Sequence, residues 1–194
     1  MQWKRMFTTD TYKNTYQYID TQKKYELIRT IIYFGISISL FLAGYITTKS
    51  NANLLTVVAV LGCLPASKSL VSTIMFFRFH SCDERTYQAL KESSSQIDHL
   101  YDLIFTTEKI NFATSHAAYR ADCLILYAEQ PLDAQLLENH IQEYMKRAAI
   151  KGVCVKVYTD LKKYTQRLEQ LIALERTEDK KAKEVMQLLR EITL

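Results

Sequence analysis

The 194-residue sequence has few of the residues that mark several common protein classes. It contains 4 glycines and 2 prolines, which excludes collagen-like, linker-like and proline-rich chains. Gly152 is the only glycine after residue 62, so the glycine-rich loops of P-loop and Rossmann proteins are missing. The G-x-S-x-G and H-E-x-x-H motifs are missing as well. No nucleotide-binding or hydrolytic class defined by these motifs fits the chain.

The histidines and cysteines are also too scattered for a metal centre. There is no Cys-x-x-Cys pair, and His80-x-Cys82 is the only close His/Cys pair, whereas a zinc site needs four ligands. Cys123 and Cys154 fall in predicted core strands, where free cysteine behaves as a small hydrophobe. We therefore predict no disulfide, no metal, no other cofactor and no catalytic residue, and we assign structural or surface roles to the single histidines His99, His116 and His140.

The formal net charge of +4 is unevenly distributed along the chain. Residues 1–79 carry nine basic and three acidic residues, whereas residues 80–194 carry sixteen basic and eighteen acidic residues. Nucleic-acid binding requires a basic surface on the folded domain, and the second part of the chain is mildly acidic. We therefore expect no nucleic-acid partner.

Two long uncharged runs predict a membrane hairpin over residues 27–79. Residues 30–48 and 50–67 contain no charged side chain, and each run spans roughly 27–28 Å as a helix, close to the hydrocarbon thickness of a bilayer. We place the spans at about 30–48 and 50–70, joined by a polar turn at 49–53. Core helices of a soluble domain would keep a polar stripe. A signal peptide would not begin 30 residues into the chain with a second span behind it.

The basic residues predict how this hairpin is oriented. They flank its open ends, whereas the turn has only Lys49, so the positive-inside rule places both termini in the cytoplasm of a two-span cell-membrane protein. The lipid bilayer is then the first predicted partner. The flanking residues are Lys13, Lys23, Lys24 and Arg29 before the hairpin, and Lys68, Arg78 and Arg85 at or after its second span.

Two features at the hairpin ends have more than one interpretation. Lys68 and Arg29 lie at similar distances from the turn, which favours two interface anchors; if the second helix runs straight to Phe77, Lys68 is instead buried against the partner helix. Residues 1–26 mix aromatic and basic side chains, and Tyr12, Tyr16 and Ile19 share one helical face. We interpret residues 1–26 as an interfacial segment leading into the first span, and the alternative is a surface on which RNA bases stack.

Residues 80–159 predict a small cytoplasmic α/β domain, which makes the whole chain α+β. A helix capped by Ser81 or Asp83 has apolar residues at three-four spacing as far as Ile104. Two strands (109–116 and 121–128), a helix (131–149) and a third strand (153–158) follow. The last three elements form a parallel βαβ unit in a sheet of about three strands, covered on at least one face.

Residues 160–194 predict C-terminal amphipathic helices. Apolar residues recur in heptads, with Glu175 and Glu178 as interruptions, so either two helices or one long helix with a polar break fits. We favour packing of these helices on the sheet over self-association. The first heptad position holds Leu161, Leu168, Glu175, Ala182 and Leu189, and the second holds Tyr164, Leu171, Glu178, Val185 and Ile192.

The order helix, two or three strands, helix, strand resembles the core of restriction-endonuclease-like nucleases. That resemblance implies an Asp and then an acidic-x-Lys motif on neighbouring strands, which hold a metal ion. Asp122 opens the central strand and Glu129 closes it, but Glu129-Gln130-Pro131 lacks the lysine, and Glu108-Lys109 has the wrong spacing. The sequence therefore departs from the nuclease family at the acidic-x-Lys motif, which the metal-dependent chemistry of that family needs.

The function that we expect is a membrane-anchored cytoplasmic interaction or regulatory module without its own catalytic site. Its protein partner, or a second copy, would bind through the C-terminal helices. One alternative is a two-span effector that oligomerises to permeabilise the membrane, with Lys68, Ser37, Ser39 and Thr56 lining the pore. A second alternative is a membrane-tethered nuclease-like domain.

Overall fold

A computed structural model describes residues 13–50, 53–107, 110–174 and 180–194. Its described part is α+β, with six helices and one mixed four-stranded sheet. The chain divides into two compact units. The described part of the first unit is Ile19–His80, and the second unit combines Lys13–Tyr18 with Ser81–Leu194. The first unit is a helical hairpin and the second is an α/β domain.

The hairpin consists of α1 (Tyr18–Thr48) and α2 (Leu54–Phe77), which have 31 and 24 residues. The connection between them lies where the polar turn was predicted. Asn53 adopts an extended conformation, and its side-chain oxygen accepts a hydrogen bond from the Thr56 N–H at 2.8 Å. This N-cap explains why α2 begins at Leu54.

The first helix begins earlier than the sequence analysis expected. It starts at Tyr18, so residues 18–26 are the first turns of α1 and not a separate helix. Tyr16 lies in a turn that precedes α1, so the prediction that Tyr16 and Ile19 share a helical face is wrong. Tyr12 lies outside the described residues.

The α/β domain contains four helices and four strands within the described residues. The strands form one sheet in the order β1-β2-β3-β4, with antiparallel β1–β2 and β2–β3 pairs and a parallel β3–β4 pair. The predicted parallel βαβ unit is thereby confirmed. The elements are α3 (Glu84–Ser94), β1 (Asp98–Thr106), β2 (Asn111–Arg120), β3 (Cys123–Tyr127), α4 (Ala134–Arg147), β4 (Cys154–Tyr158), α5 (Leu161–Ile172) and α6 (Lys180–Ile192).

The strand β1 was not predicted. The three-four spacing predicts that the first helix of the domain continues to Ile104, but α3 ends at Ser94, and Tyr101 and Ile104 belong to β1. Their spacing fits a helix by coincidence, while Asp98–Thr106 pairs along its length with β2. β2 also extends to Arg120, beyond the predicted end at His116. Long-range pairing overrides the local periodicity here.

Helices cover both faces of the sheet. On one face Leu137 of α4 and Val185 of α6 belong to the same buried cluster as Leu124 and Leu126 of β3. On the other face Leu90 of α3 belongs to a buried cluster with three residues of α5, namely Tyr164, Leu168 and Leu171. The heptad positions described in α5 and α6 thus contact the sheet of their own domain, whereas Glu175 and Glu178 lie outside the described residues.

Candidate functional site

The hairpin exposes an apolar belt, which we define as the large hydrophobic side chains on the outer surface of α1 and α2. Nearly all large hydrophobic side chains that are exposed in the described ranges belong to these two helices. The exceptions are Ile110, Leu136 and Leu174. Both helices are long and apolar enough to cross a membrane. Only 17% of the most apolar 18-residue stretch of each is buried, whereas the core helix of a soluble domain would be mostly buried.

The two helices contact each other through small and polar residues, which we call the seam. The buried residues of α2 are Ala59, Ala66, Ser69 and Thr73, together with Phe76 in its last turn. The Thr30 hydroxyl bonds to Ser69 Oγ at 2.9 Å and to Thr73 Oγ1 at 3.1 Å. Together with Gly62, these α2 residues recur every three or four positions, and this spacing is the sequence signal that would have revealed the seam.

Two glycines leave room for side chains that pack against them along the hairpin. A Cβ atom added to Gly62 would lie 2.7 Å from Ser37 Oγ, and one added to Gly44 would lie 2.7 Å from Asn53 Oδ1. Gly35 is different, since a Cβ there would meet nothing within 4 Å.

A buried carboxylate closes the seam at the open end of the hairpin. Glu26 is 5% exposed and accepts hydrogen bonds from Gln22 Nε2 at 3.2 Å and Ser69 Oγ at 3.3 Å. The Arg29 guanidinium lies 3.0 Å from the same carboxylate. The buried charge of Glu26 is therefore paired and hydrogen-bonded, as burial requires.

The structure distinguishes the two interpretations of Lys68. The Thr30–Ser69 hydrogen bond joins the residues next to Arg29 and Lys68, so these two cations lie at the same level of the hairpin. The helix α2 does continue to Phe77, yet Lys68 is exposed. The alternative in which a helix running to Phe77 buries Lys68 against its partner is therefore wrong.

The residues named for a pore do not share one surface of the hairpin. Ser37 is buried in the seam, whereas Ser39 is exposed and donates to the Gly35 carbonyl oxygen of its own helix at 2.7 Å. The Thr56 hydroxyl donates to Asn53 Oδ1 at 3.2 Å. Each of these hydroxyl groups is thus already hydrogen-bonded or enclosed within one hairpin.

In the α/β domain, a fully buried histidine connects the sheet to two helices. His116 of β2 is 0% exposed; its Nε2 lies 2.9 Å from Ser94 Oγ of α3 and its Nδ1 lies 2.5 Å from the Tyr164 hydroxyl of α5. The Tyr101 hydroxyl of β1 donates to Ser94 at 3.0 Å. The hydroxyl groups thus bond both ring nitrogens of a neutral imidazole.

The electrostatics of this network favour a structural role. Burial and, as a smaller cause, the nearby His99 together lower the pKa of His116 from 6.5 to about 3. Burial also raises the pKa of Tyr164 well above 10.0. Both groups therefore stay uncharged near neutral pH, and the network has no exposed atom at His116 through which a substrate could react.

A second polar cluster fixes the start of α3. Asp102 Oδ1 accepts from the Cys82 N–H at 2.8 Å, and Glu129 Oε1 accepts from the Asp83 N–H at 3.0 Å. Burial and these carboxylates raise the pKa of the Cys82 thiol. A protonated, buried thiol is a poor nucleophile, so Cys82 does not fit a catalytic role.

The carboxylates of the nuclease hypothesis lie at opposite ends of β3. Asp122 precedes the strand, accepts from Tyr119 at 3.1 Å and pairs with Lys181 at 2.5 Å, whereas Glu129 follows the strand and binds the start of α3. Glu108 lies outside the described residues. Within the described ranges no three His, Cys, Asp or Glu residues form a group that could hold a metal ion. The observed element order agrees with the resemblance, but the carboxylates do not converge.

An open groove of about 520 Å³ lies between α4 and the end of β1. Burial lowers the pKa of His140 in this groove. The groove is open to solvent, so it does not exclude water as an enclosed active site would. Its lining comprises Thr106, Thr107, Leu136, Asn139, His140, Glu143, Tyr144 and Arg147.

In comparisons with known proteins, no family model, no curated protein and no solved structure matches this chain.

Proposed function

We propose that this protein is a membrane-anchored cytoplasmic interaction or regulatory module. The hairpin α1–α2 crosses the bilayer twice, with the turn outside and both termini in the cytoplasm. The α/β domain is the part that meets other molecules in the cytoplasm.

One observation carries the proposal: between residues 30 and 73 the buried residues of the hairpin are small or polar, and its large apolar side chains lie outside. Thr30 and Ser69 bond to each other in the seam, while Ile31, Val71 and Ile74 are 63%, 64% and 56% exposed. Such a surface is stable when lipid covers it, because exposed apolar area costs about 25 cal/mol per Å² in water.

The α/β domain supports a binding role better than a catalytic one. Its histidine network is closed, its buried thiol is protonated, and its named carboxylates are at opposite ends of β3. The described heptad residues of α5 and α6 pack against the sheet of the same domain. A partner or a second copy would therefore meet the outward faces of these helices, where Lys163, Lys183, Glu184 and Arg190 are exposed.

Extraction and labelling of the full chain in membrane vesicles test the anchor and its orientation. We expect the chain to stay in the membrane pellet at high salt and at alkaline pH. In inside-out vesicles a membrane-impermeant maleimide should label Cys154, which is exposed on β4. In right-side-out vesicles it should label Ser50→Cys in the turn instead.

Cys154→Ser is the control that assigns the first signal to Cys154. Release of the chain into the supernatant would contradict the anchor. Labelling of Cys154 only in right-side-out vesicles would contradict the orientation while leaving the anchor intact.

A further inference from the structure

The hairpin is longer than a bilayer is thick. At 1.5 Å per residue, the 31 residues of α1 extend about 46 Å, whereas the hydrocarbon core is about 30 Å thick. The apolar belt reaches the turn, where Ile46 and Leu54 are 73% and 78% exposed. The extra length therefore lies at the open end of the hairpin, which we define as residues 18–30 of α1, residues 68–77 of α2 and Arg78, which follows α2.

The two helices of the open end have opposite surfaces. On α2, the apolar residues Leu70, Val71, Ile74 and Phe77 are 40–64% exposed. On α1, the antiparallel segment at this level exposes one large apolar side chain, Leu27, and carries the charged residues Asp20, Lys23 and Lys24. The open end is thus amphipathic, which is typical of a structure that lies at the boundary between acyl chains and headgroups.

The exposed charge at the open end is positive. Asp20 pairs with Lys23 at 2.7 Å, and Glu26 pairs with Arg29 at 3.0 Å, so the acids of α1 are neutralised within their own helix. Within the described ranges, no acidic side chain pairs with the exposed cations, which are Lys24, Lys68 and Arg78. His80 lies 3.4 Å from Lys23 and adds no negative charge.

We propose that the open end of the hairpin is a binding surface for anionic phospholipids. The apolar residues of α2 enter the acyl-chain boundary of the leaflet at that end, and Lys68 and Arg78 bind lipid phosphates. Lys68 and Arg78 lie within about 80° of each other around α2 at 100° per residue, with Val71 between them. The proposal rests on the membrane anchor proposed above and adds the class of lipid that the anchor selects.

The test uses the full chain in nanodiscs of equimolar phosphatidylcholine and phosphatidylglycerol. The lipids that stay bound after mild detergent release are counted by native mass spectrometry. We expect phosphatidylglycerol to be enriched on the wild type, and the enrichment to fall about fivefold for each of Lys68→Gln and Arg78→Gln, which converts to about 1 kcal/mol per cation. Lys49→Gln, which removes the same charge at the turn, should leave the enrichment unchanged.

Hydrogen exchange gives a second measurement that does not depend on detergent release. Backbone amides of residues 68–78 should exchange more slowly in phosphatidylglycerol discs than in phosphatidylcholine discs, whereas residues 31–46 should not differ. A chain that enters the discs but retains both lipids equally, or loses as much enrichment with Lys49→Gln as with Lys68→Gln, would overturn the lipid proposal alone. A chain that does not enter the discs would overturn both proposals.

Discussion

At the scale of single residues, His116 shows how one buried polar side chain holds several elements together. Its ring nitrogens bond to Ser94 and Tyr164, so β2, α3 and α5 meet at one imidazole. Loss of these hydrogen-bond partners would leave a buried polar group unpaired and lower the free energy of unfolding by about 1–3 kcal/mol. The network therefore specifies how the two helices pack on this face of the sheet.

We predict that His116 makes the α/β domain sensitive to acid. Because burial lowers its folded-state pKa from 6.5 to about 3, the unfolded chain binds one more proton between these pH values. Neutral His116 contributes fully to the free energy of unfolding above pH 6.5. As the pH falls from 6.5 toward 3, this free energy decreases by about 1.4 kcal/mol per pH unit. Histidine-labelled full chain in micelles, titrated by NMR, measures this pKa directly.

His116→Gln identifies the resonance of His116 and serves as the stability control. Gln keeps a hydrogen-bond donor and an acceptor at this position but does not titrate. The free energy of unfolding of the variant should therefore depend less on pH between 3 and 6.5 than that of the wild type. A His116 resonance that titrates near 6.5 would refute the prediction.

At the scale of elements, the seam decides how α1 and α2 associate. Small residues permit close backbone approach, and the Thr30–Ser69 bond sets the register of the two helices. The apolar residues outside the seam add no preference for the partner helix when lipid surrounds the hairpin, since lipid is equally apolar. The register thus depends on a few small side chains.

We predict that Gly62→Leu separates the helices and Gly35→Leu does not. The new side chain at residue 62 would begin 2.7 Å from Ser37 Oγ, whereas the one at residue 35 enters open space. The measurement is oxidative crosslinking of the pair Thr30→Cys and Ser69→Cys in membranes. The yield should fall severalfold in the Gly62→Leu background and stay near its starting value with Gly35→Leu, and equal yields in the two backgrounds would contradict the seam.

Sequence analysis predicted the hairpin and the βαβ unit because both depend on neighbouring residues. Residues 30–48 and 50–67 are uncharged runs, and β3 is a short apolar run followed by an amphipathic helix. It missed β1 because Asp98–Thr106 becomes a strand only by pairing with Asn111–Arg120. It could not find the His116 network either, since Ser94 and Tyr164 are 22 and 48 residues away along the chain.

At the scale of the whole molecule, distant parts of the chain complete the α/β domain. The segment before α1 belongs to the domain through Asn14, whose carbonyl oxygen accepts from the Tyr101 N–H of β1 at 3.0 Å. The Asn14 side chain donates to Thr193 Oγ1 at 3.2 Å, and Thr193 pairs with Phe105 of β1. Tyr16 stacks on Tyr87 at 3.7 Å and donates a hydrogen bond to Glu84. These contacts cover the outer edge of β1, which would otherwise present unpaired backbone groups.

We predict that Thr193→Val opens this edge of the sheet. The substitution keeps the side-chain shape but removes the hydroxyl group that bonds to Asn14. The segment around Asn14 should therefore detach from the outer edge of β1 more often. Hydrogen exchange of residues 98–106 should become several times faster, while residues 123–127 of β3 stay protected. Thr165→Val is the matched control, because the Thr165 hydroxyl donates within its own helix, to the Leu161 and Lys162 carbonyl oxygens at 3.0 Å. Equal exchange of β1 in the wild type and Thr193→Val would refute the prediction.

The sequence by itself determined the two long apolar helices, the polar turn between them, the parallel βαβ unit and the amphipathic C-terminal segments. Each of these follows from hydrophobic periodicity and charge over fewer than about 40 consecutive residues. Only the tertiary structure decided that β1 is a strand, that Lys68 faces outward, and that Asp122 and Glu129 lie at opposite ends of β3. These features depend on which distant segments pair and pack, and local sequence patterns do not encode that choice.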